Sequence, residues 1–266
     1  MAARPDPAFL RRFQARVPRY TSYPTAPQFH GGITAGTYRD WLAGIGDGEP
    51  VSLYVHVPFC NEMCWFCACH TRIVRRYGPI GDYAALLQRE ISLVAEATAS
   101  RPTVTHIHFG GGTPNMLSRD DFSALTATIR ERFRLADNAE FAVEVDPRTL
   151  TKGKAAGLAS CGVTRASLGV QDLNAPVQTA INRIQPYEMT ARTAGWLRRS
   201  GIEAINIDLM YGLPHQTVEH VVRTVDLAVR LAPNRLAVFG YAHVPWMKKH
   251  QRMIDEAALP DPAERF

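Results

Sequence analysis

Residues 51–69 read VSLYVHVPFCNEMCWFCAC, a strand-like run over Ser52–Val57 that opens directly onto four cysteines within ten residues. Downstream the chain keeps alternating between strand and helix patterns. Strands are predicted at Ser52–Val57, Val104–Phe109, Glu140–Val145, Arg165–Gly169, Ala204–Leu209 and Leu236–Tyr241, with helices near 81–97, 119–133, 151–159, 187–199 and 217–231. Such alternation argues for βαβ units, whose right-handed crossovers give a parallel sheet with helices outside. Six strands predict an α/β fold, an incomplete TIM-like (β/α)6 barrel rather than eight-strand closure.

Upstream, PRYTSYPTAPQFHGG (residues 18–32) is irregular and rich in Pro, Thr and Gly, and a short helix is expected around Thr37 to Leu42. The expected organisation is an N-terminal arm over 1–50 and a core barrel over 51–266, without repeats or low-complexity linkers. Hydrophobic residues make up 46% of the 266 and charged residues 21%, an ordinary globular balance. No apolar run approaches the ~18 residues of a spanning helix, and the start, MAARPDPAFLRRF, lacks the apolar stretch of a secretory signal. A soluble, cytoplasmic protein is expected, without a membrane partner.

The net charge is +5 and the pI about 9.1, with basic pairs at Arg11–Arg12, Arg75–Arg76, Arg198–Arg199 and Lys248–Lys249. These form either an ordinary solvated face or a basic rim that attracts an anionic substrate. Nucleic acid is not expected, because no base-stacking aromatic motif or continuous basic helix accompanies the charge.

Four clustered cysteines in such a chain point to metal or redox chemistry rather than a disulfide framework, whereas Cys161 reads as a small buried hydrophobe. Thiolates at Cys60, Cys64 and Cys67, spaced X3 then X2, can converge on one face of an iron–sulfur cubane and leave one iron without a protein ligand. Zinc is the competing reading, with Cys69 or His70 as fourth ligand, but the second ligand pair of a zinc knuckle is missing.

Loops at the carboxyl ends of barrel strands carry the chemistry. Cys60 follows the first predicted strand, Gly110–Gly112 the second and Gln171 the fourth, while Glu144 closes the third and Asp208 the fifth. The glycine run lets backbone approach a ligand closely. Glu144 and Asp208 can accept from an ammonium or hydroxyl, and Arg183 can pair with a carboxylate. Turns, caps and an edge ion pair are the bland alternatives for these positions.

Cys60-X3-Cys64-Trp65-Phe66-Cys67 resembles the signature of the radical S-adenosylmethionine superfamily, and Gly110–Pro114 resembles its GGE-like motif. The resemblance narrows to oxygen-independent coproporphyrinogen III oxidase through RYTSYPTAPQF (19–29), YVHVPFC (54–60), HFGGGTPNML (108–117), VEVDPR (143–148), SLGVQDLN (167–174), NIDLMYGLPHQT (206–217) and FGYAHVP (239–245). Cys69 fits the fourth cysteine of that family. Haem-handling relatives, an alternative function, usually lack both that cysteine and the Arg19–Thr25 motif.

The resemblance implies a [4Fe-4S] cluster on Cys60, Cys64 and Cys67, whose open iron chelates S-adenosylmethionine. One-electron cleavage then yields a 5'-deoxyadenosyl radical. It also implies that Tyr54, Phe66, Gly111 and Glu144 contact this cofactor, and that Gly112, Thr113, Gln171, Arg183, Asp208 and Ala242 contact a second S-adenosylmethionine. The implied reaction is oxidative decarboxylation of two propionates of coproporphyrinogen III to vinyl groups. Its substrate is a tetracarboxylate, with Arg19 a candidate substrate-side cation, and an external electron donor and acceptor are required. A monomer is expected. Family members continue through a helical domain beyond the point that matches Phe266, so the expected unit is the core barrel without that domain; a cofactor-binding paralog that does not turn over is the remaining alternative.

Overall fold

The structure is a computed structural model that describes residues 6, 8, 9, 12, 24–98 and 100–265. Arg19 and residues 20–23 of its motif lie outside the described residues. Six strands, among the described residues, form one parallel sheet: β1 (Pro50–Val57), β4 (Thr103–Gly111), β5 (Arg134–Val145), β6 (Arg165–Gln171), β7 (Ala204–Tyr211) and β8 (Arg235–Gly240), hydrogen-bonded in that order. Between them run α2 (Gly78–Ala97), α3 (Arg119–Arg132), α4 (Lys152–Ser160), α5 (Ala175–Ala180), α6 (Tyr187–Arg199) and α7 (Val218–Arg230). Strand order equal to sequence order is the signature of a sheet that curls as a barrel does, and it stays open between β1 and β8. Helix α1 (Ala35–Ala43) precedes the sheet where the sequence predicts a helix.

Local chemistry explains where the elements begin. Ser118 caps α3 by accepting from the Asp121 amide, with Asp120 and Asp121 in its first turn and Arg130 and Arg132 in its last, matching the helix dipole at both ends. Thr151 and Thr217 cap α4 and α7 in the same way.

Each strand alternates. On β6, Ala166, Leu168 and Val170 are buried against the helices, and on β7 Ile205, Ile207 and Leu209 are. The outward side chains meet Ile80, Leu125, Ile129, Leu158 and Leu197 from the helices in one continuous core. Phe109 is its aromatic centre, with ring centroids 4.9 Å from Phe122 and 5.5 Å from Phe141. Cys161 is buried in this core, as its sequence context suggests.

Some boundaries differ from the sequence expectation. β5 begins at Arg134 rather than Glu140, because Arg134 and Leu135 pair with Thr103 and Val104 ahead of an irregularity in β4. β4 runs through Gly111 and β6 through Gln171, so both residues belong to strand ends rather than to the following loops. The one-and-a-half-turn helix α5 and the two-residue strands β2 (Phe59–Cys60) and β3 (Arg72–Ile73) lack a periodic signal and were not predicted.

Replacing Phe109 by Ala should lower unfolding free energy by about 3–5 kcal/mol through transfer and cavity terms. Tyr38→Ala, on the exposed face of α1, should stay within about 0.5 kcal/mol. Urea-induced unfolding of both variants checks this.

Candidate cofactor site

The cysteine loop is pinned at both ends and from both sides. β2 and β3 pair in parallel, Phe59 with Arg72 and Cys60 with Ile73, closing residues 61–71 into a loop. Within it the Cys67 amide donates to the Cys64 carbonyl at 3.1 Å, a single turn that brings these two thiols to one side. The Trp65 amide donates to Ile181 O at 3.0 Å, and Asn182 Nδ2 donates to Met63 O at 2.9 Å. On the other flank Gln251 Nε2 donates to Phe66 O at 3.0 Å and Lys248 Nζ to Cys69 O at 3.0 Å, while His250 Nε2 lies 2.6 Å from Cys67 O. Residues over a hundred positions downstream thus fix the loop's shape.

The inner face of the sheet supplies the rest. Because side chains alternate, Glu144 on β5, Ser167 and Gly169 on β6, Asn206 and Asp208 on β7, and Arg235 and Ala237 on β8 face a cavity of about 770 Å³, which also contains the cysteines. Strand register stacks these residues in layers: Glu144 pairs with Ser167, Ser167 with Asn206 and Asn206 with Arg235, and one layer nearer the carboxyl ends Gly169 pairs with Asp208 and Asp208 with Ala237. Hydrogen bonds lock the layers together. Asn206 Nδ2 donates to Ser167 Oγ at 2.6 Å and to Asp208 Oδ1 at 2.7 Å, Ser167 Oγ donates to Asp208 Oδ2 at 2.9 Å, and Arg235 Nε donates to Asn206 Oδ1 at 3.0 Å. Burial raises the Asp208 carboxyl above the usual range, and the Ser167 and Asn206 donors act in the opposite direction.

Of the residues singled out in the sequence, Cys60, Cys64, Cys67, Phe66, Gly111, Gly112, Thr113, Glu144, Gln171, Arg183, Asp208 and Ala242 all line this cavity. Tyr54 does not. Its ring stacks on His108 with centroids 5.7 Å apart, and His108 Nε2 lies 3.3 Å from Glu144 Oε1, so Tyr54 reaches the cavity wall through one intermediary. Partial burial, and then the Glu144 carboxylate, push the Tyr54 hydroxyl up to about 12, keeping it neutral. Glu144 Oε2 accepts from the Gly111 amide at 3.0 Å, which fixes the carboxylate at the strand end.

Two glycines are dictated by the packing. Gly111 has φ 116°, and a Cβ there would lie 2.6 Å from the His56 ring, while a Cβ on Gly112 would lie 2.7 Å from Phe59 O at the mouth of the cysteine loop. Gln171, at the end of β6 on the cavity wall, has φ 70°, and Asn182, which holds the cysteine loop through Met63 O, has φ 53°, non-glycine residues in left-handed backbone.

Around the sulfurs, burial pushes the Cys60 thiol up to about 11, opposed by the Thr113 hydroxyl, which donates to Sγ at 3.4 Å. A hydrogen bond from Cys69 holds Cys67 down at about 6, and the same bond raises Cys69. Cys64 is met by two guanidiniums, Arg148 Nη2 at 3.3 Å and Arg183 Nη1 at 3.4 Å. Both arginines grip Asp146, whose carboxyl lies below its ordinary value despite the opposing effect of burial.

The sequence profile described as the radical SAM superfamily matches residues 54–228, from the middle of β1 nearly to the end of α7. The chain belongs to the radical SAM superfamily. An oxygen-independent coproporphyrinogen III oxidase of Bradyrhizobium diazoefficiens is 55% identical over 248 residues, covering 93% of this chain and 55% of that protein. One of Paracoccus denitrificans is 44% identical, covering 97% and 57%. The solved structure of coproporphyrinogen III oxidase from Escherichia coli matches with a TM-score of 0.87 and 38% identity, over 92% of this chain and 56% of that one. This radical SAM chain therefore spans somewhat more than half the length of these relatives.

Superfamily membership implies a [4Fe-4S] cluster and S-adenosylmethionine, and the residues present fit both. Three thiols share one cavity, with hydroxyl and guanidinium donors in reach of Cys60 and Cys64, and three such sulfurs are the ligand set of an iron–sulfur cluster. Arg148 Nη1 and Arg183 Nε are buried without a hydrogen-bond partner at the cavity wall, as expected where an anionic group completes the site. Among the described residues no three His, Cys, Asp or Glu side chains are grouped to hold a single ion; a cubane asks for less, since each thiolate takes its own iron. Asp146, Arg148 and Arg235 line the cavity but were missed as site residues, although the Asp-Pro-Arg after a strand end was a usable signal.

Gly112→Ala should destabilise the chain by about 1–3 kcal/mol through overpacking and should lower the iron bound on reconstitution. Thermal melts with iron and acid-labile sulfide determination test this.

Proposed function

We propose that residues 51–266 are the radical-generating core of an oxygen-independent coproporphyrinogen III oxidase, acting in porphyrin and haem biosynthesis. The observation that carries this reading is the convergence of the cysteine loop with Gly111–Thr113, Glu144, Gln171, Arg183 and Asp208 on one cavity, in a chain 55% identical to a protein of that name. When bound at Cys60, Cys64 and Cys67, the cluster and S-adenosylmethionine supply one-electron cleavage chemistry and hydrogen-atom abstraction.

The chain's own residues bind and orient. Glu144, fixed by the Gly111 amide, offers a carboxylate to the ammonium of the first S-adenosylmethionine, with the Phe66 and Gly111 backbone alongside. Asp208, held by Ser167 and Asn206, accepts from a hydroxyl or ammonium of the second molecule, and Arg183 pairs with its carboxylate; Gly112, Thr113, Gln171 and Ala242 complete that pocket. Met210, Phe239 and Tyr241 give the cavity an apolar wall that limits water around a reactive intermediate. Arg235 and the net charge of +5 favour a substrate carrying four carboxylates. An external donor and acceptor of electrons and a monomeric cytoplasmic state belong to the same proposal; no described helix is long and apolar enough to cross a membrane.

Two expected outcomes test it. Anaerobically reconstituted protein given S-adenosylmethionine and dithionite should release 5'-deoxyadenosine, and with coproporphyrinogen III should form vinyl products detected by chromatography after oxidation. Release without vinyl product refutes the substrate, and no release from iron-loaded protein refutes the chemistry. Glu144→Ala should reduce nucleoside release about 10- to 100-fold, the equivalent of one charge-assisted hydrogen bond. Cys64→Ala should abolish it together with the low-temperature iron signal.

A further inference from the structure

Cys60 and Cys64 do not share one environment. Cys60 meets a single hydroxyl, while Cys64, buried, faces a closed set of three charges. Arg148 grips Asp146 through Nε at 3.1 Å and Nη2 at 2.7 Å, and the same Nη2 reaches Cys64 Sγ. Arg183 lies 3.4 Å from Asp146 through Nη1, which also reaches Cys64 Sγ, and donates Nη2 to Gly169 O at 2.6 Å. The side chains of Arg148, Arg183 and Asp146 are 14%, 7% and 9% exposed. Two guanidiniums and one carboxylate leave one uncompensated positive charge against the sulfur. The nearest further anion is Glu62, 3.8 Å from Arg148 Nη1, but it is 70% exposed and screened by water.

We propose that Arg148 is a positioning residue for electron entry: through its bond to Cys64 Sγ, and with the net charge it shares with Asp146 and Arg183, it makes the bound cluster easier to reduce. The inference rests on the reading of Cys60, Cys64 and Cys67 as cluster ligands. Physically, the step adds one electron from an external donor, breaks no bond and moves no proton. The cluster gains negative charge, so a buried cation and a donor to a ligand sulfur favour the reduced form and raise the midpoint potential. Asp146 opposes them and sets how far. A purely structural role, bracing the turn at 146–149, would give no such sign dependence.

The test is an electron-paramagnetic-resonance redox titration of the reconstituted 266-residue chain with dithionite, alongside iron and sulfide stoichiometry, for wild type, Arg148→Gln, Arg148→Lys and Asp146→Asn. Arg148→Gln should lower the reduced-to-oxidised ratio at fixed potential about tenfold, which is about 59 mV for a one-electron couple. Arg148→Lys should lie closer to wild type than Arg148→Gln does. Asp146→Asn, which removes the opposing charge with little change of shape, should shift the midpoint upward. If Arg148→Gln loads no iron, Arg148→Lys and Asp146→Asn still decide the sign. Loaded variants with unchanged midpoints, or with Arg148→Gln and Asp146→Asn moving the same way, overturn the inference. Wild type that takes up no iron and sulfide refutes the ligand reading instead, so the two failures are told apart.

Discussion

The fold depends on the period-two alternation of a parallel sheet that curls but does not close. In a closed eight-stranded barrel, inward side chains fill the interior. Here the outward half of the central strands is apolar and buried under the helices, while the inward half, Ser167, Gly169, Asn206, Asp208, Arg235 and Ala237, borders a cavity of about 770 Å³. A slip of one residue in β6 or β7 would exchange Leu168 for Ser167 or Ile207 for Asp208, exposing the core and burying unpaired polar groups at once. Hydrophobic burial and the binding site therefore select the same register.

On this frame the site is assembled by hydrogen bonds between distant segments. Asp208 is useful because Ser167 and Asn206 hold both of its oxygens, and Glu144 because the Gly111 amide holds one. The buried set around Asp146 places cations beside a sulfur without leaving them unbalanced by more than one charge. Each interaction restricts a side chain that free solvent would leave mobile, and orientation of that kind is what radical chemistry demands of a protein.

Much of this was legible in the sequence. All six strands of the main sheet and the five helices predicted between them followed from alternation and apolar patterning, because that pattern is largely the burial pattern. The cysteine spacing and the strand-end positions of Glu144, Gln171 and Asp208 were equally visible, since a parallel sheet places its loops predictably. What stayed hidden depends on tertiary pairing. β2 and β3 are two residues each and exist only because they meet, and α5 is too short for a period. The Arg148–Asp146–Arg183 set joins residues 146–148 to residue 183 through a fold that no local window contains. Tyr54 was matched by motif, yet it stands behind the cavity wall, against His108 and His56.

The clamping of the cysteine loop by Ile181, Asn182, Lys248, His250 and Gln251 has a thermodynamic corollary. A ligand that grips the loop's sulfurs binds the native arrangement and not the unfolded chain, so metal occupancy and chain cooperativity are linked functions. Iron uptake would tie the first turn after β1 to the segments after β6 and β8, welding opposite sides of an open sheet into one unfolding unit.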